Sequence, residues 1–127
     1  MLSRCTPNWW EDTLGKQVRS DGHYNHLLDK YHDKKPMLVD FYLENCGWCE
    51  KMQDDWNKLY KKLHKKVKFL KADGRKLDYF TDYYCITSYP KIMLVLPDGT
   101  DIIYEGKRKY KYMKKWLIKN LKKYYEK

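Results

Sequence analysis

Cys46 and Cys49 are two thiols separated by two residues, in the run Cys46-Gly47-Trp48-Cys49. The apolar stretch Met37 to Leu43 precedes them, and an amphipathic stretch through Met52, Trp56, Leu59 and Leu63 follows, so the pair falls where a strand passes into a helix. A helix N-terminus offers unpaired N–H groups and the positive end of the helix dipole. Both favour thiolate over thiol, so Cys46 is expected to have a lowered pKa. A thiolate attacks disulfides, and a second thiol one turn further on can resolve the mixed disulfide. Gly47 is expected to let the backbone turn tightly. Two other readings fit the same spacing. One is a pair of inert buried thiols. The other is half of a zinc site, which needs two further ligands, and the sequence shows no second Cys pair and no spaced His pair.

The second anomaly is Asp40, a carboxylate inside Met37-Leu38-Val39-Asp40-Phe41-Tyr42-Leu43. A continuous apolar run suits a central strand covered on both faces. A carboxyl placed there should have a raised pKa and serve as a base near neutral pH, unless it is simply a satisfied core Asp.

The elements that must position these groups follow from pattern. Residues 1–14, with Pro7, Trp9 and Trp10, show no period and read as an N-terminal extension packed through its Trp side chains; residues 15–127 read as one domain. Gly15 to Arg19 suggests an edge strand, and Ser20 or Asp21 caps a helix through Tyr24, Leu27, Leu28 and Tyr31 that Pro36 stops. Val67 to Ala72 is a strand, Leu77 to Tyr84 a helix, and Lys91 to Leu96 a strand. Pro97-Asp98-Gly99 is a turn, after which Asp101 to Tyr104 pairs back. Met113, Trp116, Leu117 and Leu121 mark a final helix. The order β-α-β-α-β-α-β-β-α argues an α/β fold with a central mixed sheet flanked by helices.

Composition bounds the rest. The chain has 127 residues, 43% apolar, with 27 basic against 17 acidic residues and a net charge of +10. One domain with its own core fits that length. No apolar run reaches a membrane span, no secretory leader opens the sequence, and four cysteines do not make a disulfide scaffold. These features set the expectation of a cytoplasmic or virion location. The basic residues are 23 Lys and only 4 Arg, which argues against nucleic-acid readout. Lys and Tyr both have AT-rich codons, so the excess reads in part as coding bias, as in the AT-rich genome of a giant DNA virus or a protist. Cys85 is expected to be a free, partly buried thiol, with a regulatory disulfide to Cys5 or intermolecular pairing as the alternatives. The four His have no metal-like convergence.

The stretch from Leu38 through Cys49, with Tyr89-Pro90 before a strand and Pro97-Asp98-Gly99 after it, resembles the active-site framework of the thioredoxin superfamily. Tyr104-Glu105-Gly106-Lys107-Arg108 is similar to the segment that opens the last helix in protein disulfide isomerase domains. The resemblance covers roughly residues 16–123 and implies a thioredoxin fold and a thiol–disulfide oxidoreductase. It implies Cys46 as nucleophile and Cys49 as resolving thiol, the two forming a redox-active disulfide. It implies that Asp40 takes a proton from Cys49 through water, and that Lys71 neighbours this carboxylate. Pro90 matches the family's cis-proline, and the Tyr89 backbone the strand-like contact to substrate. No metal and no bound cofactor are implied. The partners implied are protein thiols and disulfides, with a reductase or a sulfhydryl oxidase as redox partner. The departures are Trp48, where thioredoxins carry Pro and disulfide isomerases His, and Asn45, where the family carries Trp. Trp48 is expected to offer an apolar contact to substrate. The alternative function is a redox-relay or binding module whose basic surface recruits acidic partners or nucleic acid.

Overall fold

A computed structural model describes residues 8–126. Its elements are β1 (Lys16–Val18), α1 (Asp21–Tyr31), β2 (Met37–Tyr42), α2 (Gly47–Leu63), β3 (Lys68–Asp73), α3 (Asp78–Tyr83), β4 (Lys91–Val95), β5 (Asp101–Ile103) and α4 (Tyr110–Tyr125). Two short 3-10 turns, Trp9–Asp12 and Gly74–Lys76, complete the described chain. The order expected from pattern is the order found.

The five strands form one sheet in the order β1-β3-β2-β4-β5. β1, β3 and β2 run parallel, while β4 is antiparallel to β2 and β5 antiparallel to β4. β2 is central and buried at every position, which is why its sequence is an almost unbroken apolar run. Side chains alternate between faces along it. Met37, Val39 and Phe41 pack with Tyr24 and Leu27 of α1 and Phe80 of α3. Leu38 packs with Met52, Trp56 and Leu59 of α2 and with Met113 and Leu117 of α4. By the same alternation Asp40 and Tyr42 lie on the α2 side.

Local chemistry sets the boundaries. The Ser20 hydroxyl accepts the His23 N–H at 3.1 Å and caps α1. Pro97-Asp98-Gly99 turns between β4 and β5, with Gly99 at φ 92°. Gly47 requires a different account from tight turning. It has no left-handed φ, and a Cβ there would meet nothing within 4 Å. Neither a positive φ nor a close neighbour demands glycine at this position.

Cys85 also corrects an expectation. It lies just past α3 at φ 57° and is exposed, not partly buried. Phe80 and Thr81 fill the inward face of the short α3, and Ile86 takes the next inward position, so Cys85 turns outward. Cys5 lies outside the described residues.

Candidate active site

The dithiol stands where β2 hands over to α2. Cys46 is the N-cap residue of α2, and its Sγ accepts the Cys49 N–H at 3.1 Å. The two cysteines are joined as a disulfide, with Cα atoms 5.2 Å apart. They are not equivalent. Cys49 is 1% exposed, packed with Trp9 and Tyr42, whereas Cys46 is only half-buried. A partner approaching from solvent therefore meets Cys46 Sγ first.

Across from Cys46 lies the loop before β4. The Tyr89–Pro90 peptide bond is cis, and the Tyr89 carbonyl oxygen is 3.7 Å from Cys46 Sγ. Pro90 is buried and Tyr89 half-buried. The Tyr89 ring lies over Gly74, where any Cβ would run into it. Trp48 is 65% exposed, and the Lys51 ammonium sits 4.7 Å from its ring centroid. Beside Trp48 a groove of about 390 Å³ is lined by Lys51, Met52, Lys107, Arg108 and Lys109. Arg108 also reaches the Pro90 carbonyl at 3.5 Å.

Beneath the dithiol the structure brings Asp40 and Lys71 together. They are register partners on parallel β2 and β3, so both side chains point to the α2 side. Asp40 is 2% exposed, and its Oδ1 has no hydrogen-bond partner. Burial pushes its carboxyl up to about 7 from an ordinary 3.8, against the opposing pull of Lys71 and Arg108. Lys71 is 5% exposed. Burial lowers its pKa, while Asp40, Glu11 and Asp12 pull the other way. Its Nζ donates to the carbonyl oxygens of Trp10 at 2.6 Å and Thr13 at 2.5 Å.

Those two acceptors belong to the segment that the sequence reads as an extension packed through its Trp side chains, and the packing goes further than a surface contact. Trp9 is buried against Tyr42 and Cys49, and its Nε1 donates to the Glu44 carbonyl at 2.9 Å. The signal for this was present in the adjacent Trp9 and Trp10, since large aromatic side chains with an N–H donor seldom stay unpacked. Asn45, which stands where the resemblance leads one to expect Trp, accepts instead from the Arg75 guanidinium at 3.3 Å. The tryptophan against the cysteines thus comes from residue 9. Among the described residues no group of three or more His, Cys, Asp or Glu converges to hold a metal ion. None of the helices there is long and apolar enough to cross a membrane.

A helix-capping dithiol on a mixed sheet with this strand order defines the thioredoxin class of fold. The chain belongs to the thioredoxin family, whose sequence model matches residues 16–119. It is 31% identical over 91 residues to a mitochondrial thioredoxin domain-containing protein of Schizosaccharomyces pombe, covering 66% of this chain and 25% of that one. It is 29% identical over 69 residues to a thioredoxin of Borreliella burgdorferi, covering 54% of this chain and 59% of the relative. The chain thus spans from a quarter to about three fifths of the length of these curated relatives. The crystal structure of thioredoxin NaTrxh from Nicotiana alata superposes with a TM-score of 0.73 at 21% identity, over 92% of this chain and 96% of that one, a likeness of fold.

Proposed function

We propose that the protein is a thiol–disulfide oxidoreductase acting on protein substrates. The observation that carries this reading is the inequality of the two sulfurs: Cys46 is reachable at a helix N-terminus, and Cys49 is buried behind it. In the reduced protein the Cys46 thiolate attacks one sulfur of a substrate disulfide, and the other leaves as a thiolate. Cys49 then gives its proton to Asp40. The resulting thiolate attacks Cys46 Sγ and forms the Cys46–Cys49 bond, and the second substrate sulfur leaves reduced. Two electrons pass to the substrate, and the pair ends oxidised. Run backwards, the same steps place a disulfide in the partner.

Each remaining residue has a role in this reading. The helix N-terminus stabilises the Cys46 thiolate. Asp40 holds the proton of Cys49 because its burial makes its neutral form accessible near pH 7. Lys71 adjusts that carboxylate, and the Tyr89 backbone before Pro90 pairs with the extended substrate chain. Trp48 offers an apolar contact, and the cations around its groove favour an acidic stretch next to the substrate disulfide. The redox partner is a reductase if the protein works as a reductant, or a sulfhydryl oxidase if it works as an oxidant.

Insulin reduction by dithiothreitol tests the mechanism. Catalysis is expected from the intact protein and none from Cys46→Ser; turnover that survives that change contradicts it. The equilibrium potential of the pair sets the direction. A value about −270 mV marks a reductant, and one about −180 mV marks an oxidant or isomerase.

A second reading rests on a separate observation. At the far end of α2 a groove of about 990 Å³ is lined by six lysines, among them Lys62, Lys65 and Lys66, with Ile118 and Tyr125 exposed beside them. A binding module that recruits acidic partners or nucleic acid would use such a face. Its binding should fall steeply with salt.

A further inference from the structure

Lys71 and Asp40 stand side by side on neighbouring strands, on the same face of the sheet, in surroundings closed to water. A lysine in that position has the reach to pair with the carboxylate, and a dry site strengthens the attraction between the two charges. It does not pair. Among the described residues none of the ion pairs within 4.0 Å joins them. The Lys71 ammonium is instead taken by the carbonyls of Trp10 and Thr13, and Asp40 Oδ1 is left without a partner.

The segment that takes the ammonium is itself held in place from several sides. Trp9 Nε1 donates to the Glu44 carbonyl at 2.9 Å, and Gln53 Nε2 donates to the Trp9 carbonyl at 3.0 Å. Asn57 accepts the Leu14 N–H at 2.8 Å and donates to the Asp12 carbonyl at 3.3 Å. Trp56 Nε1 donates to the Leu14 carbonyl at 2.7 Å. These anchors come from α2 and from the loop before it, the same stretch that carries the two cysteines. Two carbonyls take two of the ammonium's three N–H donors and so compete for it with the nearest carboxylate.

We propose that the Trp9–Asp12 turn and Thr13 form a clamp that keeps the Lys71 ammonium off the Asp40 carboxyl and so leaves that carboxyl free to accept a proton during thiol–disulfide exchange. The consequence for exchange rests on the functional reading above; the clamp itself does not. Residues 9–13 are on this view positioning residues of the redox centre, acting through Lys71. The charged groups facing Asp40 are Lys71 from β3 and Arg108 from the segment before α4. Those facing Lys71 are Asp40 and, from the turn, Glu11 and Asp12. Releasing the turn removes two acceptors and lets the ammonium swing to Asp40, which favours the ionised carboxylate.

The test is a carbon-13 NMR titration of the Asp40 carboxyl in the full-length oxidised protein, where the disulfide removes Cys49 from the titration. Asp40→Asn identifies the resonance. In Trp9→Ala/Asn57→Ala the Asp40 midpoint should fall by about one pH unit or more, a tenfold loss of proton affinity. In a Lys71→Met background the same pair of changes should move it by much less, because no ammonium remains to be released. A midpoint that stays put, or one that falls equally with and without Lys71, overturns the clamp. If the double variant fails to fold, Asn57→Ala alone should shift the midpoint in the same direction, and no shift there overturns the proposal equally. This titration reads Asp40 directly, so it stands apart from insulin reduction. A protein that shows the shift but no catalysis keeps the clamp and loses the oxidoreductase reading. Where both hold, the pH profile of mixed-disulfide resolution should move to lower pH in the unclamped variant, with Trp9→Phe restoring most of the original profile.

Discussion

The two ends of α2 carry charge in opposite ways. Its N-terminal end meets buried ionisable groups, Asp40 and Lys71, the second held by the carbonyls of Trp10 and Thr13. About 25 Å away, by the rise of a 17-residue helix, its C-terminal end runs into exposed Lys62, Lys65 and Lys66. The exposed positive charges at one end have water for a partner, while the one buried lysine at the other has two carbonyls. Exposed lysines are screened and individually worth little. A buried lysine must be satisfied, and what satisfies it decides how its neighbours titrate. Position, not number, separates the two ends.

The comparison predicts a gradient of effects. Cys49→Ser should abolish turnover yet leave Cys46 able to attack, so the variant should accumulate a covalent mixed disulfide with substrate, visible on non-reducing gels. Asp40→Asn comes next. On the proposed mechanism this removes the acceptor of the Cys49 proton and should slow resolution on the order of 100-fold, read by stopped-flow Trp fluorescence.

The same Asp40→Asn change should act on stability with the opposite sign. The folded carboxyl titrates at about 7, above its unfolded value of 3.8, so the folded state binds the extra proton between those limits and loses stability as pH rises through them. The variant should therefore gain stability over the intact protein at pH 8, by at most about 4 kcal/mol for a shift of roughly three units, and gain nothing from this source near pH 3. Thermal unfolding at the two values checks it. Equal effects at both would place Asp40's titration outside this range.

Reversing charge in the groove beside Trp48, by Lys51→Glu with Lys107→Glu, should raise KM for an acidic peptide disulfide about fivefold and lower it for a basic one. The smallest effect belongs to the far end. Lys62→Glu with Lys65→Glu and Lys66→Glu should leave insulin reduction within about twofold. A large loss there would make the second groove part of substrate recognition and erase the contrast between the ends.

The sheet and the cysteine pair were legible because they depend on local pattern. An apolar run announces β2, a period of three and four announces α2, and the junction between them announces the thiols. Asp40 was legible as a violation of its own strand's pattern. Lys71 was not distinguishable by type from the other lysines, because what sets it apart is burial against carbonyls 58 and 61 residues earlier in the chain. The Trp9–Asp12 turn escaped for the same reason. It is one short turn with no period, fixed by partners in α2 and β3 that no local reading supplies. Cys85 misled because its neighbours suggest a buried helix end, while the left-handed turn that faces it outward is a backbone property.

Those long spans bear on how the protein is made. A chain leaves the ribosome from its N-terminus. Trp9 through Leu14 emerge before their anchors at Gln53, Trp56, Asn57 and Lys71, which lie between 42 and 61 positions behind them. The first-made part of the redox centre must wait for β2 and α2 to cover Trp9 and for β3 to supply Lys71. Until Trp9 docks on Cys49 the two thiols are uncovered, and an unshielded dithiol is open to whatever oxidant the nascent chain meets.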